Sequence, residues 1–221
     1  MTDHSTLKDL AHIRGLMDRS TRFLSLSGLS GVVAGLVALV GAYLARGHYL
    51  ALQWGARTFG YGPDPTGRSG DMALDHVLFL LADGMGVLLV ALLGAFWFTW
   101  RRSRRMGITL WDRSARRLMI NLMLPLVAGG GFCLALLFHG QALMVPSATL
   151  VFYGLALLNA SKYTLDEIRW LGISEMLLGI IASFWIGAGL LFWALGFGVL
   201  HIFYGAVMYL RHERGTVRTD V

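Results

Sequence analysis

Two ionisable side chains lie deep inside long apolar stretches of this chain. Asp83 is in the stretch 73–100 and His201 is in the stretch 191–210, each well away from the ends. An ionised group in the hydrocarbon core of a bilayer is costly unless it is paired or hydrated, so such residues usually serve a function. A carboxylate beside an imidazole can pass a proton or hold a cation. We therefore predict a binding or proton-relay site at Asp83 and His201. In the alternative, each is neutral and hydrogen-bonded locally.

A second group of ligand-type residues is predicted at the outer ends of two helices. Asp75 and His76 open one apolar stretch and His139 closes another, with Asp71 and His48 nearby. Two imidazoles and a carboxylate suit Zn or Cu, and His76 with His139 would suit a bis-histidine haem b. No HxxxH, HExxH or CxxC spacing accompanies them. Interfacial histidines without a metal are the alternative.

Three further polar residues are placed at the inner ends of their helices. Asn121, Asn159 and Glu175 belong to the predicted third, fourth and fifth spans. They would either line a cytosolic vestibule or cap the ends of helices.

Small residues recur every four positions on the first apolar stretch. Ser27, Gly31 and Gly35 lie on one face of a helix. Such a face lets another helix approach closely, and in lipid this packing replaces the hydrophobic effect that operates in water. We predict a helix-packing face whose partner is in the same chain, with a second copy as the alternative.

The composition fits a protein that lies largely in lipid. Of the 221 residues, 56% are hydrophobic and 14% are charged, which is too little polar surface to cover a soluble globule. The net charge of +6 comes from short basic runs between apolar stretches, as in the loops of membrane proteins. We predict an all-α polytopic protein in contact with the lipid bilayer, without a nucleic-acid partner.

The apolar stretches predict six transmembrane helices, arranged as three hairpins. A crossing needs about 20 apolar residues, and the run from Ser174 to Leu210 is long enough for two crossings. The predicted segments are a cytosolic amphipathic leader at 1–22, spans at 23–44, 73–100, 118–138, 146–160, 172–188 and 191–210, an outside loop at 45–72, and a basic tail at 211–221. The third span is predicted to be kinked or unwound around Pro125 and 129–131.

Basic residues are distributed unevenly between the two sides of these spans. Under this topology, 16 of the 19 Lys and Arg residues lie on the side of the two termini. Loops rich in Lys and Arg remain in the cytosol. Both termini are therefore predicted to be cytosolic.

Short repeats favour hairpins that recur in one orientation. The residues DRSTR at 18–22 return as DRSAR at 112–116, and FYG at 152–154 returns at 203–205. Internal repeats of this kind are common among membrane transporters.

The stretch RSTRFLSLSGLSGVVAG, near the N-terminus, resembles that of a family of bacterial multi-span membrane proteins with no assigned activity. The resemblance covers roughly residues 10 to 45. It implies a bacterial inner-membrane location and assigns no functional residue.

Three classes of function remain open on these grounds. The first is transport or permeation of a small solute or ion, coupled to protons at Asp83 and His201. The second is a non-catalytic partner or sensor subunit, either a homo-oligomer or bound to another membrane protein. The third is a metal- or haem-dependent membrane enzyme. The sequence contains no Gly-rich phosphate motif and no nucleophile elbow, so an enzyme is the least favoured class.

Overall fold

Helices make up nearly all of the computed structural model, which describes residues 26–58, 68–107 and 111–214. In chain order the helices of this part are α1 (Gly28–Thr58), α2 (Arg68–Met106), α3 (Arg113–Phe138), α4 (Val145–Ala160), α5 (Asp166–Phe184) and α6 (Gly189–His212). Short 3-10 turns at Ala142–Met144, Ser161–Tyr163 and Ile186–Ala188 lie between α3 and α6. The described part contains no strand, so the predicted all-α class is confirmed.

Five of these helices are long and apolar enough to cross a membrane: α1, α2, α3, α4 and α6. Helix α5 has 19 residues and carries charged side chains in its first turn. A chain with this many long apolar helices is a multi-pass membrane protein.

The structure extends two predicted spans into the predicted outside loop. Helix α1 continues to Thr58 and α2 begins at Arg68, so most of the segment 45–72 is helical rather than irregular. Residues 45–58 include three Ala, two Leu and two Arg, which favour helix, and the first proline follows only at Pro63. The leader 1–22, residues 59–67 and the tail beyond residue 214 lie outside the described residues.

Helix α3 is continuous, so the predicted unwinding does not occur, whereas the predicted kink stays a prediction. It runs through Pro125 and the three glycines at 129–131 without a break. Membrane helices tolerate proline because neighbouring groups can satisfy the backbone that it leaves unpaired.

The helices form an open row with α6 near its middle. Helix α6 packs along α1 on one side and against α4 and α5 on the other. Helix α2 packs along α1, and α3 packs along α4. Other parts of the protein cover almost none of the apolar stretches of α2 and α3. These two flanking helices therefore present the surface that lipid would cover.

The predicted small-residue face of α1 lies against α6 of the same chain. A methyl group on Gly205 would come within 2.7 Å of the Gly28 carbonyl oxygen, and one on Gly31 within 3.1 Å of the Gly205 Cα. One turn further along, a methyl group on Gly35 would come within 2.5 Å of the Gly198 carbonyl oxygen. The two backbones are therefore in direct contact, because there is no room for side chains between them.

The carboxylate of Glu213 ties three helix ends together. It accepts hydrogen bonds from the Ser27 hydroxyl at 3.2 Å and from the Gly28 N–H at 2.6 Å. Arg102 Nη1 lies 3.1 Å from Glu213 Oε1 and also donates to the Leu26 carbonyl. The start of α1, the end of α2 and the end of α6 therefore meet at one end of the molecule.

A second carboxylate joins the start of α5 to the same end. Glu167 Oε1 lies 3.1 Å from His212 Nε2 and 3.3 Å from Arg211 Nη1. Burial raises the pKa of Glu167, but hydrogen bonds from its own backbone and from His212 and Arg211 outweigh burial and hold this pKa below its ordinary value. We call this end of the molecule the basic end; its described cations are Arg101, Arg102, Arg104, Arg105, Arg113, Arg116, Arg117, Lys162, Arg169, Arg211 and Arg214.

Replacing Gly205 by alanine should destabilise the protein by about 1–3 kcal/mol, because the added methyl group overlaps the α1 backbone. Chemical unfolding of the purified protein in detergent measures this free energy. Gly130→Ala is the matched control, since nothing lies within 4 Å of a methyl group there and alanine favours helix over glycine by about 1 kcal/mol. Equal effects of the two substitutions would contradict the contact.

Glu167 should make the unfolding temperature depend on pH. Because its folded-state pKa is lowered, the ionised carboxylate stabilises the fold above its ordinary pKa of about 4.3. This stability is lost as the pH falls through the folded-state pKa. We expect the wild-type unfolding temperature to drop more between about pH 6 and pH 3 than that of Glu167→Gln. Asp75→Asn, at an exposed carboxylate, should leave the wild-type slope unchanged.

Candidate functional site

A buried polar cluster lies where α4, α5 and α6 meet. His201 of α6 has its Nδ1 3.2 Å from Glu175 Oε1 of α5 and its Nε2 2.9 Å from the Tyr153 hydroxyl of α4. Glu175 is 0% exposed and His201 is 6% exposed. Each of the three helices thus contributes one proton-carrying side chain to the same enclosed space. We call these residues the Glu–His–Tyr cluster.

A π-helical segment of α6, Ala194–Leu200, leads directly into His201. The carbonyl oxygen of Gly196 in this segment lies 3.1 Å from His201 Nδ1. A methyl group on Gly196 would overlap Glu175 Oε2 and Leu150 Cδ2. Insertions of this type are frequent at functional sites because they re-aim side chains within a helix. Here the segment supplies an acceptor for His201 and leaves space for the Glu175 carboxylate.

The hydrogen-bond geometry assigns the roles of the two imidazole nitrogens. Nδ1–H donates to the Gly196 carbonyl, so the neutral ring accepts at Nε2 from the Tyr153 hydroxyl. Neither Glu175 oxygen has a hydrogen bond of good geometry within the described residues. The 3.2 Å approach of Nδ1 to Glu175 is therefore an electrostatic contact rather than a directional hydrogen bond.

This arrangement offers two positions for one proton. With the proton on the imidazole, Glu175 and His201 form an ion pair and Nε2–H donates to the Tyr153 oxygen. With the proton on the carboxyl group, both residues are neutral. Breaking a buried pair by removing one partner is costly, because the remaining charge is left uncompensated. The protonation states of the two residues are therefore coupled.

Apolar side chains enclose the cluster. On one side the Phe197 ring lies 5.9 Å from the His201 ring and 4.9 Å from the Tyr153 ring, with Trp193 beyond it at 5.0 Å. Towards the basic end lies a hydrophobic cluster of Leu157, Leu165, Ile168, Leu171 and Met208. These residues separate Glu175 from Glu167 and its basic partners, so the described residues hold the site in a closed form.

The cluster lies well inside α5 and α6, away from the basic end. Glu175 is nine residues after Asp166, where α5 begins, and His201 is eleven residues before His212, where α6 ends. At about 1.5 Å per residue these separations are roughly 14 and 17 Å. Each side chain is therefore about half the thickness of a hydrocarbon core, which is about 30 Å, away from the basic end.

Asp83 and His201 are not brought together. A methyl group on Gly41 of α1 would lie 3.2 Å from Asp83 Oδ2, whereas one on Gly31 would lie 3.3 Å from the His201 carbonyl oxygen. Ten residues of one helix separate these glycines, or about 15 Å. No hydrogen bond or ion pair joins Asp83 to His201 in the described part of the chain.

The length of α2 explains why Asp83 and His201 lie at different distances from the basic end. Arg102 and Glu213 are in contact at the basic end. From that level Asp83 is 19 residues along α2, or about 28 Å, and His201 is 12 residues along α6, or about 18 Å. Asp83 therefore lies nearer the opposite end of the molecule than His201 does.

At that opposite end the structure pairs His76 with His48 rather than with His139. The Nδ1 atoms of His48 and His76 are 3.0 Å apart, and their ring planes differ by 4° with centroids 5.3 Å apart. Rings at this separation lie edge to edge and share an N–H···N hydrogen bond. His139 contacts the ring of its neighbour Phe138, and Asp75 is exposed.

The predicted ligands Asp75, His76 and His139 therefore do not form a metal site. Within the ranges that the structure describes, no group of three or more His, Cys, Asp or Glu side chains could hold a metal ion. The side chain of Asp71 lies outside the described residues. Zn, Cu and haem b thus gain no support from the described geometry.

The other predicted polar residues divide between two roles. Asn159 Nδ2 donates to the Asn121 carbonyl at 2.9 Å, and Asn121 Nδ2 donates to the Arg117 carbonyl at 2.8 Å. The first bond joins α4 to α3, and the second lies within α3. Glu175 instead belongs to the Glu–His–Tyr cluster.

The sequence-based interpretation placed Glu175 at a helix end because it began the fifth span at residue 172. Helix α5 begins at Asp166, with Asp166 and Glu167 in its first turn. Acidic residues in a first turn mark the start of a helix, and counting from there would have placed Glu175 near mid-membrane.

The chain matches no protein-family model, no curated protein and no solved structure. The resemblance of its N-terminal stretch to bacterial multi-span proteins therefore stays a prediction. Fold and site together define the class: a helical multi-pass membrane protein with an enclosed Glu–His–Tyr cluster.

Gly196→Ala should destabilise the protein by about 1–3 kcal/mol, because the methyl group overlaps the Glu175 carboxylate and Leu150. In a Glu175→Ala background part of this cost should disappear, giving a coupling of at least about 0.5 kcal/mol in a double-mutant cycle of unfolding free energies. Gly131→Ala has open space around it and should show no coupling to Glu175. Additive effects of Gly196→Ala and Glu175→Ala would argue against the close approach.

Proposed function

We propose that this protein is a proton-coupled membrane transporter or permeation protein for a small solute or ion, and that the Glu–His–Tyr cluster binds the coupling proton. The observation that carries this proposal is the carboxylate of Glu175. It is 0% exposed, its nearest ionic partner is His201 at 3.2 Å, and it has no directional hydrogen bond within the described residues. Ionisable residues in such positions mark ion pathways and proton relays in membrane proteins.

The donor set favours a proton over a metal cation. A hard metal cation takes about six oxygen ligands, whereas the carboxylate here is approached by the imidazole nitrogen of His201 and by the backbone at Gly196. The imidazolium form of His201 would itself supply the positive charge that balances Glu175. A proton needs no cavity beyond the space between these side chains.

The proton would move through the cluster in two steps, first to His201 and then to Glu175. His201 receives a proton at Nε2, where Tyr153 lies at 2.9 Å, and the hydroxyl turns from donor to acceptor. The imidazolium ring would then turn its Nδ1–H from the Gly196 carbonyl towards Glu175 Oε1, which lies 3.2 Å away, and Glu175 would take that proton. Afterwards the ring is neutral and Glu175 is a carboxylic acid. Loading one proton therefore neutralises the Glu175 carboxylate.

Neutralisation of Glu175 would couple protonation to the movement of α6. Its π segment and the glycine contacts with α1 let α6 shift without repacking large side chains. The aromatic layer of Trp193 and Phe197 would open towards one side, and the hydrophobic cluster around Leu171 and Met208 towards the other. Such alternating access around a midplane site is common in secondary transporters.

We also propose six crossings, with both termini in the cytosol. Helix α5 would be the sixth crossing: its 19 residues span about 28 Å, and its charged first turn lies at the basic end. The basic end would face the cytosol because Lys and Arg resist translocation. The resemblance of the N-terminal stretch supports a bacterial inner membrane.

Glu175→Gln should remove a protonation event that is detectable without knowing the substrate. In lipid-reconstituted protein we expect a pH-dependent carboxyl band in the infrared spectrum that this variant lacks. Proton flux into liposomes driven by an imposed potential should fall by about 100-fold, the scale typical of losing a general acid–base group. His201→Gln should reduce the flux similarly.

Asp83→Asn is the matched control, because it makes the same chemical change at a half-buried carboxylate on α2. It should keep both the Glu175 band and the flux. If Glu175→Gln retains both signals, the proposed site is wrong. If Asp83→Asn alone abolishes the flux, the relay lies along α2. That result would favour the role that the sequence predicted for Asp83.

A partner or sensor subunit is the second candidate function. Helix α2 packs along α1 and makes no comparable contact with another described helix. A methyl group added at its Gly84 or Gly86 would meet nothing within 4 Å, and small residues of this kind suit a further transmembrane helix. This candidate gains weight if the purified protein shows no proton flux at all.

A further inference from the structure

A cleft at the basic end lies between the end of α4 and the start of α5. It has a volume of about 370 Å³ and is lined by Leu158, Ser161, Lys162, Asp166 and Arg169. Two of these residues, Ser161 and Lys162, belong to the 3-10 turn Ser161–Tyr163. The cleft is well separated from the Glu–His–Tyr cluster, since Glu175 lies about 14 Å further along α5 than Asp166.

The charges that line the cleft suit a singly charged anion. Lys162 and Arg169 are both exposed and contribute two positive charges, and Asp166 contributes one negative charge. The net charge of the lining is therefore one positive charge. Lys162 Nζ donates to Asn159 Oδ1 at 3.3 Å, which leaves its other two N–H groups for a ligand. Arg169 makes no hydrogen bond or ion pair with another described residue.

The cleft is also amphipathic and lies at headgroup level. Leu158, one turn before Lys162 on α4, supplies an apolar wall on the side of the hydrocarbon core. Trp170 follows Arg169 and is 59% exposed, and tryptophan prefers the membrane–water interface. A free phosphate ion would use the cations but not the apolar wall. A lipid would use both.

We propose that this cleft binds the headgroup of an anionic glycerophospholipid, with the phosphodiester held by Lys162 and Arg169. A phosphodiester carries one negative charge, which complements the net charge of the lining. Basic pockets between the ends of membrane helices are typical sites for such headgroups. The lipid would hold the α4–α5 turn at the membrane surface.

Native mass spectrometry of the full chain in detergent can test this site with phosphatidylglycerol as the probe. The double variant Lys162→Gln, Arg169→Gln should bind the lipid about tenfold more weakly than the wild type. Arg101→Gln, Arg105→Gln removes the same charge from exposed arginines of the same end and should keep wild-type affinity. All four side chains are exposed, so both variants should fold, and equal unfolding temperatures would verify this.

Four results would overturn the proposal. Equal losses in the two double variants would mean a general electrostatic attraction to the basic end. Unchanged binding by the cleft variant, or equal binding of phosphatidylcholine, would mean that the charges of the cleft do not select the lipid. Displacement of phosphatidylglycerol by inorganic phosphate would identify a free anion as the occupant. Glu175→Gln should leave lipid binding unchanged, so this test is independent of the proton site.

Discussion

The carboxylate of Glu175 has to be kept away from lipid, and this constraint runs through the central helices. In hydrocarbon there is no water to hydrate a charge, so protein must cover it. Helix α5 meets this need by turning Glu175 towards α6 and α4, where His201 supplies an opposite charge when protonated and Tyr153 supplies a partner for the ring. The result is a polar cluster inside an apolar protein.

Glycine residues in α6 and α1 let the helices pack closely enough to cover the Glu–His–Tyr cluster. Gly196 leaves the space that the Glu175 carboxylate fills, and its carbonyl holds the imidazole. On the other side of α6, Gly205 and Gly28 bring the α1 backbone into contact. Helix α6 is therefore packed closely on both sides by backbone and by small residues. Packing of this kind is the main attraction between helices in lipid, and it allows small sliding movements.

Charged residues at the basic end set the level of the helices relative to one another. Glu213 binds the start of α1 and Arg102 of α2, and Glu167 binds the end of α6. These contacts align α1, α2, α5 and α6 at one end, and so they determine the depth of every residue further along each helix. The same alignment puts His201 about 10 Å nearer that end than Asp83.

The sequence by itself determined the class and the approximate position of each helix, because apolar runs of membrane-spanning length and basic runs between them are local features. It also predicted a site role for His201, which stays a proposal, and a packing face at Ser27, Gly31 and Gly35. Only the tertiary structure decided which partners these residues meet. The partner of His201 is Glu175 rather than Asp83, because depth depends on where each helix begins and on which helices are neighbours. Both depend on contacts between residues far apart in the chain, such as Arg102 with Glu213, and no local pattern records them.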